Sequence, residues 1–147
     1  MFELADLKSG ELLIDLGCGD GRIVNLAAKI GAKAIGIDLN AKLIDWAHRD
    51  SKVMGIDVNT SFIHGNLFDI DVSKADVVTM YLTTFANEEV RPKLEHELKN
   101  GARVVTHDFP ITEWRSTKIT NYIENVNDHT IFLYIWPMRN SNSKNSL

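Results

Sequence analysis

The residues best suited to chemistry form a glycine-rich stretch near the start of the chain, Asp15-Leu16-Gly17-Cys18-Gly19-Asp20-Gly21. Glycine lets the backbone turn sharply and approach a ligand closely, and amides at the start of a following helix can bind an anionic group. Asp38 follows nineteen residues after Gly19, where a second strand is predicted to end. From that position a carboxylate can accept hydrogen bonds from both hydroxyls of a ribose. The spacing therefore predicts a ligand that carries a ribose.

Such a loop needs a strand before it and a helix after it, and the hydrophobic pattern supplies both. The unbroken apolar run within 11–16 predicts a buried central strand. After the loop, a helix is predicted that ends at Gly31. Its sheet-facing residues recur at helical spacing: Ile23, Leu26, Ala27 and Ile30.

Short apolar strands and amphipathic helices continue to alternate along the chain. Further strands are predicted at 34–37, 58–63, 75–82 and 102–106. Asn40 is predicted to cap a second helix that ends at Gly55, with Leu43, Ile44 and Ala47 on one face. Asn87 is predicted to cap the next, whose buried face consists of Val90, Leu94 and Leu98. This alternation predicts a parallel sheet covered on both faces.

The last third of the chain breaks the alternation. Strand-like runs at 117–123 and 130–136 are separated by 124–129, which contains an Asn-Asp turn and no room for a helix. They predict an antiparallel hairpin at one sheet edge. The predicted fold class is therefore α/β, a Rossmann-like doubly wound, mostly parallel seven-stranded sheet with an antiparallel C-terminal hairpin. One domain is predicted over 1–138, followed by a polar tail at 139–147 that is flexible by composition.

Length, charge and cysteine content limit the functional classes. The chain has 147 residues, enough for one domain, and a formal net charge of −4 with no basic tract, so nucleic acid is a disfavoured partner. A lone cysteine and scattered histidines exclude disulfides and argue against a metal site. No apolar run approaches the ~20 residues of a membrane span, and the acidic start does not resemble a secretion signal. We expect a cytoplasmic protein with no membrane partner.

The spacing Gly-x-Gly-x-Gly, with an acid two residues before the first glycine, differs from the dinucleotide pattern Gly-x-Gly-x-x-Gly. It resembles the cofactor loop of the class I S-adenosylmethionine-dependent methyltransferases. The order of helices and strands over about residues 10 to 137 is also similar to that fold. The resemblance implies that S-adenosylmethionine is the cofactor.

The resemblance also implies roles for particular residues. Asp15 would help to hold the loop and the cofactor's amino group, Asp38 would bind the ribose hydroxyls, and Leu39 would pack on the adenine. Asn66 stands where the family often has Asp, and its amide can likewise hydrogen-bond an adenine edge. The full set of implied cofactor residues is Asp15, Gly17, Cys18, Gly19, Gly21, Asp38, Leu39, Asn66 and Leu67.

In this fold the methyl group emerges beyond the carboxyl ends of the fourth and fifth strands, which here run into 80–84 and 106–110. The first segment lacks the (Asn/Asp/Ser)-Pro-Pro-(Tyr/Phe) signature of nitrogen methylation on adenine or glutamine. Both segments, with 91–94, 98–105 and Trp114, resemble the small archaeal protein-lysine methyltransferases and their mitochondrial relatives over about residues 12 to 115. The resemblance implies lysine side chains of proteins as acceptors. The implied catalytic residues are Tyr81, His107 and Asp108, and the implied substrate-binding residues are Leu82, Thr83, Phe109 and Trp114.

Other interpretations of the same residues stay open. The glycines and Asp38 can serve the turn alone, Cys18 fits a small filler, and Phe109 and Trp114 can be packing residues. His48, His64, His96 and His129 are assigned no function. The alternative functions are methyl transfer to RNA or a small metabolite, and a non-catalytic cofactor-binding subunit. The oligomeric state is not predicted.

Overall fold

A computed structural model describes residues 1–138, which fold around one sheet. Its strands are β1 (Leu12–Leu16), β2 (Lys33–Asp38), β3 (Thr60–His64), β4 (Val77–Met80), β5 (Arg103–His107), β6 (Lys118–Glu124) and β7 (Asn127–Ile135). The helices are α1 (Phe2–Ala5), α2 (Arg22–Lys29), α3 (Ala41–Val53) and α4 (Thr84–Glu97), with short 3₁₀ helices at Asp57–Asn59 and Leu67–Asp69. The predicted tail at 139–147 lies outside the described residues.

The strand order is β3-β2-β1-β4-β5-β7-β6. Strands β1 to β5 pair in parallel, and β7 pairs antiparallel with both β5 and β6. The predicted fold class is confirmed. The chain builds β2 and β3 on one side of β1 and then crosses to build β4 and β5 on the other. A crevice opens at the carboxyl ends of the strands where this direction reverses.

The two faces of the sheet are buried under separate hydrophobic layers. Leu13 faces the layer that α2 and α3 cover, whereas Ile14 and Leu16 face the layer under α4. Side chains of successive strand residues point to opposite faces, so Asp15 lies on the same face as Leu13. Within the described residues, none of the helices combines the length and the apolar content needed to cross a bilayer.

Helix α2 meets the sheet through only part of the predicted stripe: Ala27 and the partly buried Ile23 face the core as predicted, but Leu26 and Ile30 do not. Leu26 and Ile30 are 48% and 45% exposed, while Val24, Ala27 and Ala28 are buried. The small alanine side chains let the helix lie close to the sheet, which explains why the larger residues turn outwards.

The start of α4 also differs from the prediction. The helix begins at Thr84, and Thr83 caps it by accepting a hydrogen bond from the amide of Ala86. Asn87 is fully buried inside the helix and donates its side-chain amide to the carbonyl of Phe109 at 2.8 Å. The predicted cap at Asn87 is therefore wrong, because its side chain serves a tertiary contact. The predicted buried face of Val90, Leu94 and Leu98 is confirmed.

Strand β4 (Val77–Met80) is shorter than the predicted 75–82, and further differences lie in β3 and in the hairpin. Strand β3 begins only at Thr60, because 57–59 form a 3₁₀ turn that leaves Val58 exposed. The hairpin lies at the predicted edge, but its turn has two residues, Asn125 and Val126, with φ of 48° and 67°. Two successive left-handed residues match the twist of the strands, so β6 and β7 extend through most of the predicted connection at 124–129.

Val126 is a β-branched residue in a left-handed conformation, and it is 96% exposed. Replacing it by glycine removes a steric cost of about 1–2 kcal/mol, partly offset by the greater freedom of glycine in the unfolded chain. We expect Val126→Gly to raise the free energy of unfolding in urea by about 0.5–1 kcal/mol. Val58→Gly, at an exposed position without positive φ, serves as the control and should lower it. Equal effects of the two substitutions on the free energy of unfolding would contradict the left-handed conformation of Val126.

Candidate active site

The glycine loop is bent by left-handed residues and held against β2. Gly17, Gly19 and Gly21 have φ of 81°, 55° and 81°, a region that glycine adopts without steric cost. The amides of Gly17 and Cys18 both donate to the carbonyl of Ile37, at 2.9 and 3.0 Å. The loop therefore curls over the carboxyl end of the neighbouring strand, where a ligand can enter the crevice.

Asp38 ties this loop to the start of α3. One carboxylate oxygen accepts a hydrogen bond from the amide of Gly19 at 2.9 Å, and the other accepts one from the amide of Asn40 at 2.8 Å. Each oxygen has a second lone pair, so the carboxylate can still accept hydrogen bonds from a ligand. A surface depression beside it is lined by residues 38–42, including the exposed Leu39. Asn40 caps α3 as predicted.

The three glycines leave different amounts of space around the loop. A Cβ at Gly21 would lie 2.6 Å from the Cβ of Ala47, so packing requires glycine there. A Cβ at Gly17 would lie 2.8 Å from the end of the Leu82 side chain, which would have to shift. A Cβ at Gly19 would meet nothing within 4 Å. The face of the loop at Gly19 is thus open to a ligand, which fits a cofactor lying across it.

Two side chains in and beside the loop have raised pKa values. Burial raises the pKa of the Cys18 thiol to about 12, and the charges of Asp15 and Asp38 act in the same direction. Cys18 is buried beside Gly36, so it packs as a small filler. Burial also raises the pKa of Asp15 to about 7, although the hydroxyl of Thr79 donates to it at 2.7 Å. The Asp15 carboxyl can therefore ionise near neutral pH when a cation approaches.

The segment after β3 lies beside Asp38. The amide of Gly65 donates to the Asp38 carbonyl at 3.0 Å. Asn66 caps the short helix Leu67–Asp69 by accepting a hydrogen bond from the amide of Phe68, and Leu67 packs partly buried against the core. The implied adenine-edge residues thus follow directly on the strand that flanks the ribose position.

The structure brings Tyr81, His107 and Asp108 together beyond the ends of β4 and β5. The Tyr81 hydroxyl donates to a carboxylate oxygen of Asp108 at 3.3 Å, and the rings of Tyr81 and His107 have centroids 4.2 Å apart. Asp108 has a left-handed φ of 63°. Two hydrogen bonds with the Thr130 backbone hold it, one through its amide and one through its carboxylate.

Two further members of this cluster come from the hairpin and were not assigned a role from the sequence. His129 Nδ1 lies 2.8 Å from a carboxylate oxygen of Asp108, and the Tyr122 hydroxyl lies 2.8 Å from His107 Nε2. Tyr122 and His129 are direct partners in the β6–β7 register. A two-residue turn was the signal that would have placed them opposite each other; the predicted longer connection put His129 outside the strand.

The cluster combines a neutral imidazole with an ionised carboxylate at neutral pH. Burial lowers the pKa of His107 despite the nearby charge of Asp108. Burial acts to raise the pKa of Asp108, but hydrogen bonds from Thr130 and His129 outweigh it and hold that pKa below its usual value. The site can therefore attract a cation and offer a proton acceptor beside it.

The four residues that were predicted to bind the substrate do not form one group in the structure. Leu82 lies against Gly17, Thr83 caps α4, and Phe109 is partly exposed next to Asp108. Trp114 is buried and donates its indole N–H to Glu95 at 2.9 Å. Its ring packs with Tyr134 and Trp136, so the structure gives it the packing environment and does not bring it into the cluster.

His107, Asp108 and His129 also offer three ligand atoms within 4.8 Å of one another. Two imidazoles and a carboxylate are donors that transition metals accept. In the structure His129 Nδ1 and a carboxylate oxygen of Asp108 lie 2.8 Å apart and share a hydrogen bond. The absence of a metal stays a prediction.

Solved structures with the same architecture include methyltransferases. An RNA methyltransferase from Salinibacter ruber, solved with S-adenosyl-L-homocysteine, is 34% identical with a TM-score of 0.86; the match covers 99% of this chain and 93% of that one. The tRNA methyltransferase TrmK of B. subtilis shares the fold at 16% identity, with a TM-score of 0.76 and coverage of 89% and 62%. The sheet order and the glycine loop thus define a class I S-adenosylmethionine-dependent methyltransferase.

Sequence comparison narrows this class to a family. The ANTKMT methyltransferase domain matches residues 15–118, and the chain belongs to that family. A protein-lysine N-methyltransferase of Saccharolobus islandicus is 41% identical over 137 residues, covering 92% of this chain and 85% of that protein. An adenine nucleotide translocase lysine N-methyltransferase of Mus musculus is 31% identical over 108 residues, covering 73% and 47%. The chain thus spans about half the length of this mammalian relative.

Gly19 and Gly55 provide a matched test of the ligand position. Both have positive φ, and a Cβ at either would meet nothing within 4 Å, so alanine should cost each a similar stability of about 1–2 kcal/mol. Only the methyl group at position 19 would occupy the open face of the loop. We expect Gly19→Ala to weaken S-adenosylhomocysteine binding by about tenfold or more in calorimetry, which is ~1.4 kcal/mol, and Gly55→Ala to leave it unchanged. Equal affinities would contradict this placement.

The raised pKa of Asp15 predicts a pH-dependent stability. Its value is about 7 in the folded protein against an ordinary 3.8, so the folded state retains a proton that the unfolded chain releases. The resulting stabilisation is complete below about pH 4 and is lost as the pH rises to about 7. Relative to Asp15→Asn, wild type should lose up to about 4 kcal/mol of unfolding free energy between pH 4 and 8 in urea. A constant difference between the two proteins would contradict burial as the cause.

Proposed function

We propose that the chain transfers methyl groups from S-adenosylmethionine to lysine side chains of proteins. The observation that supports lysine as the acceptor is the position of the Asp108 carboxylate. It lies among aromatic and imidazole rings beyond the ends of β4 and β5, where the methyl group is expected to emerge in this fold. The name of the Saccharolobus islandicus relative, together with its identity over most of both chains, supports the same acceptor.

On the cofactor side, the chain supplies charge and shape. When bound, S-adenosylmethionine would supply a methyl group on its sulfonium. The lysine nitrogen would take this methyl group as the N–C bond forms and the S–C bond breaks, with S-adenosylhomocysteine as the leaving group. Asp15 would ionise and pair with the cofactor's amino group, and Asp38 would accept hydrogen bonds from the ribose hydroxyls. The open face at Gly19 leaves room for the methionyl part.

On the acceptor side, the lysine must present a free lone pair. Its ammonium group has an ordinary pKa of about 10.4, so it must lose a proton before transfer. Asp108 would attract and orient the ammonium, while the Tyr81 and Phe109 rings would exclude water and favour the neutral amine. The neutral His107 imidazole, next to Asp108, would receive the proton directly or through water.

A second candidate acceptor is RNA, because the Salinibacter ruber structure at 34% identity is described as an RNA methyltransferase. The charge of this chain argues against it. Sixteen basic residues face twenty acidic ones, whereas RNA binding rests on clustered cations that neutralise phosphates. A net acidic chain is better suited to lysine-bearing segments of proteins.

The two acceptors are separated by one labelling experiment. The protein is incubated with methyl-labelled S-adenosylmethionine and, in parallel, with single-lysine peptides of mixed sequence, the same peptides with arginine at that position, and total RNA. We expect label in the lysine peptides alone, located on the side-chain nitrogen by mass spectrometry. Label in RNA alone would contradict the proposed acceptor, and no label in any arm would contradict the proposed activity.

A further inference from the structure

We propose that the C-terminal hairpin supplies half of the acceptor site, with His129 as the positioning residue for Asp108 and Tyr122 as the positioning residue for His107. This inference rests on the proposed function and assigns it two further residues. Both act through a neighbour: His129 sets the direction of a carboxylate, and Tyr122 sets the orientation of an imidazole.

The hairpin determines where the Asp108 carboxylate points. One carboxylate oxygen accepts from the Thr130 amide at 2.9 Å, and the other faces His129 Nδ1 at 2.8 Å and the Tyr81 hydroxyl at 3.3 Å. The Asp108 amide in turn donates to the Thr130 carbonyl at 2.7 Å. Two adjacent residues of β7 thus make three of the four hydrogen bonds described for Asp108. The fourth is donated by the hydroxyl of Tyr81, which directly follows β4.

The backbone at Asp108 depends on this support. Its φ of 63° lies in the left-handed region, which persists outside glycine only where the surroundings hold it. Because Asp108 directly follows β5, the left-handed turn redirects the chain and aims the carboxylate back at β7. Without the hairpin, the carboxylate would lose its direction towards the acceptor position.

His107 is held by the hairpin in a similar way. Its Nε2 lies 2.8 Å from the Tyr122 hydroxyl, and the two rings stack at 5.9 Å with planes 10° apart. Tyr122 also stacks on His129 at 5.1 Å. His107 and His129 also have ring centroids 5.0 Å apart, so the three rings pack as a triangular cluster next to Asp108. The His107 imidazole therefore has little freedom to rotate.

The contributions of His129 and Tyr122 to methyl transfer can be measured separately with substitutions that keep or remove one contact. His129→Ala removes the Nδ1 contact, whereas His129→Asn retains an N–H near the same position. Tyr122→Phe keeps the stacked ring and removes only the hydroxyl. His96→Ala, on the exposed side of α4, is the control. For each variant, kcat and KM are measured on the lysine peptide that wild type modifies fastest, and S-adenosylhomocysteine affinity is measured by calorimetry.

We expect His129→Ala to lower kcat by about 10- to 100-fold, the range that a misplaced catalytic group produces, with unchanged S-adenosylhomocysteine affinity. His129→Asn should recover most of that loss. Tyr122→Phe should lower kcat less than His129→Ala, and His96→Ala should leave it at the wild-type value. Wild-type kcat in His129→Ala, or an equal loss in His129→Ala and His129→Asn, would overturn the inference.

A second measurement separates failure of this inference from failure of the proposed function. If wild type modifies no lysine peptide, the proposed function fails, and the His129 contact is then tested by ¹⁵N spectra of the imidazoles. We expect a proton on His129 Nδ1 at neutral pH, since that nitrogen donates to Asp108. A bare Nδ1 would overturn the inference whatever the activity.

Discussion

The candidate site depends first on the hydrogen bond between the Asp38 carboxylate and the amide of Gly19. This bond spans nineteen residues and joins the two turns that follow β1 and β2. It holds the loop in the left-handed conformation that leaves one glycine face open, and it places a negative charge at the mouth of the crevice. Asp15 is buried behind that loop, and its raised pKa follows from the same close packing.

On the acceptor side, a second carboxylate also connects two parts of the chain through hydrogen bonds to the backbone. Asp108 also lies just beyond a strand end and also accepts a hydrogen bond from a backbone amide, here that of Thr130. The two carboxylates differ in the elements of the sheet that they connect. Asp38 joins consecutive parallel units of the sheet, whereas Asp108 joins β5 to an antiparallel strand that comes about twenty residues later.

These two arrangements explain what sequence reasoning could predict. The glycine loop, Asp38 and the cap at Asn40 depend on signals within about thirty residues, and the structure places them as the pattern indicates. Long-range contacts were not predictable in the same way. Asn87 has the residue type of a helix cap, but it is buried because its side chain binds the carbonyl of Phe109.

The hairpin shows most clearly why part of the site was missed. A tight two-residue turn usually contains glycine at its second position, because both residues need positive φ. Here Val126 occupies that position, so the local sequence conceals the turn and with it the register that pairs Tyr122 with His129. A register error of one residue would send both side chains to the opposite face of the sheet. The acceptor side is therefore determined by strand pairing at the sheet edge, and its residues become visible only once that pairing is known.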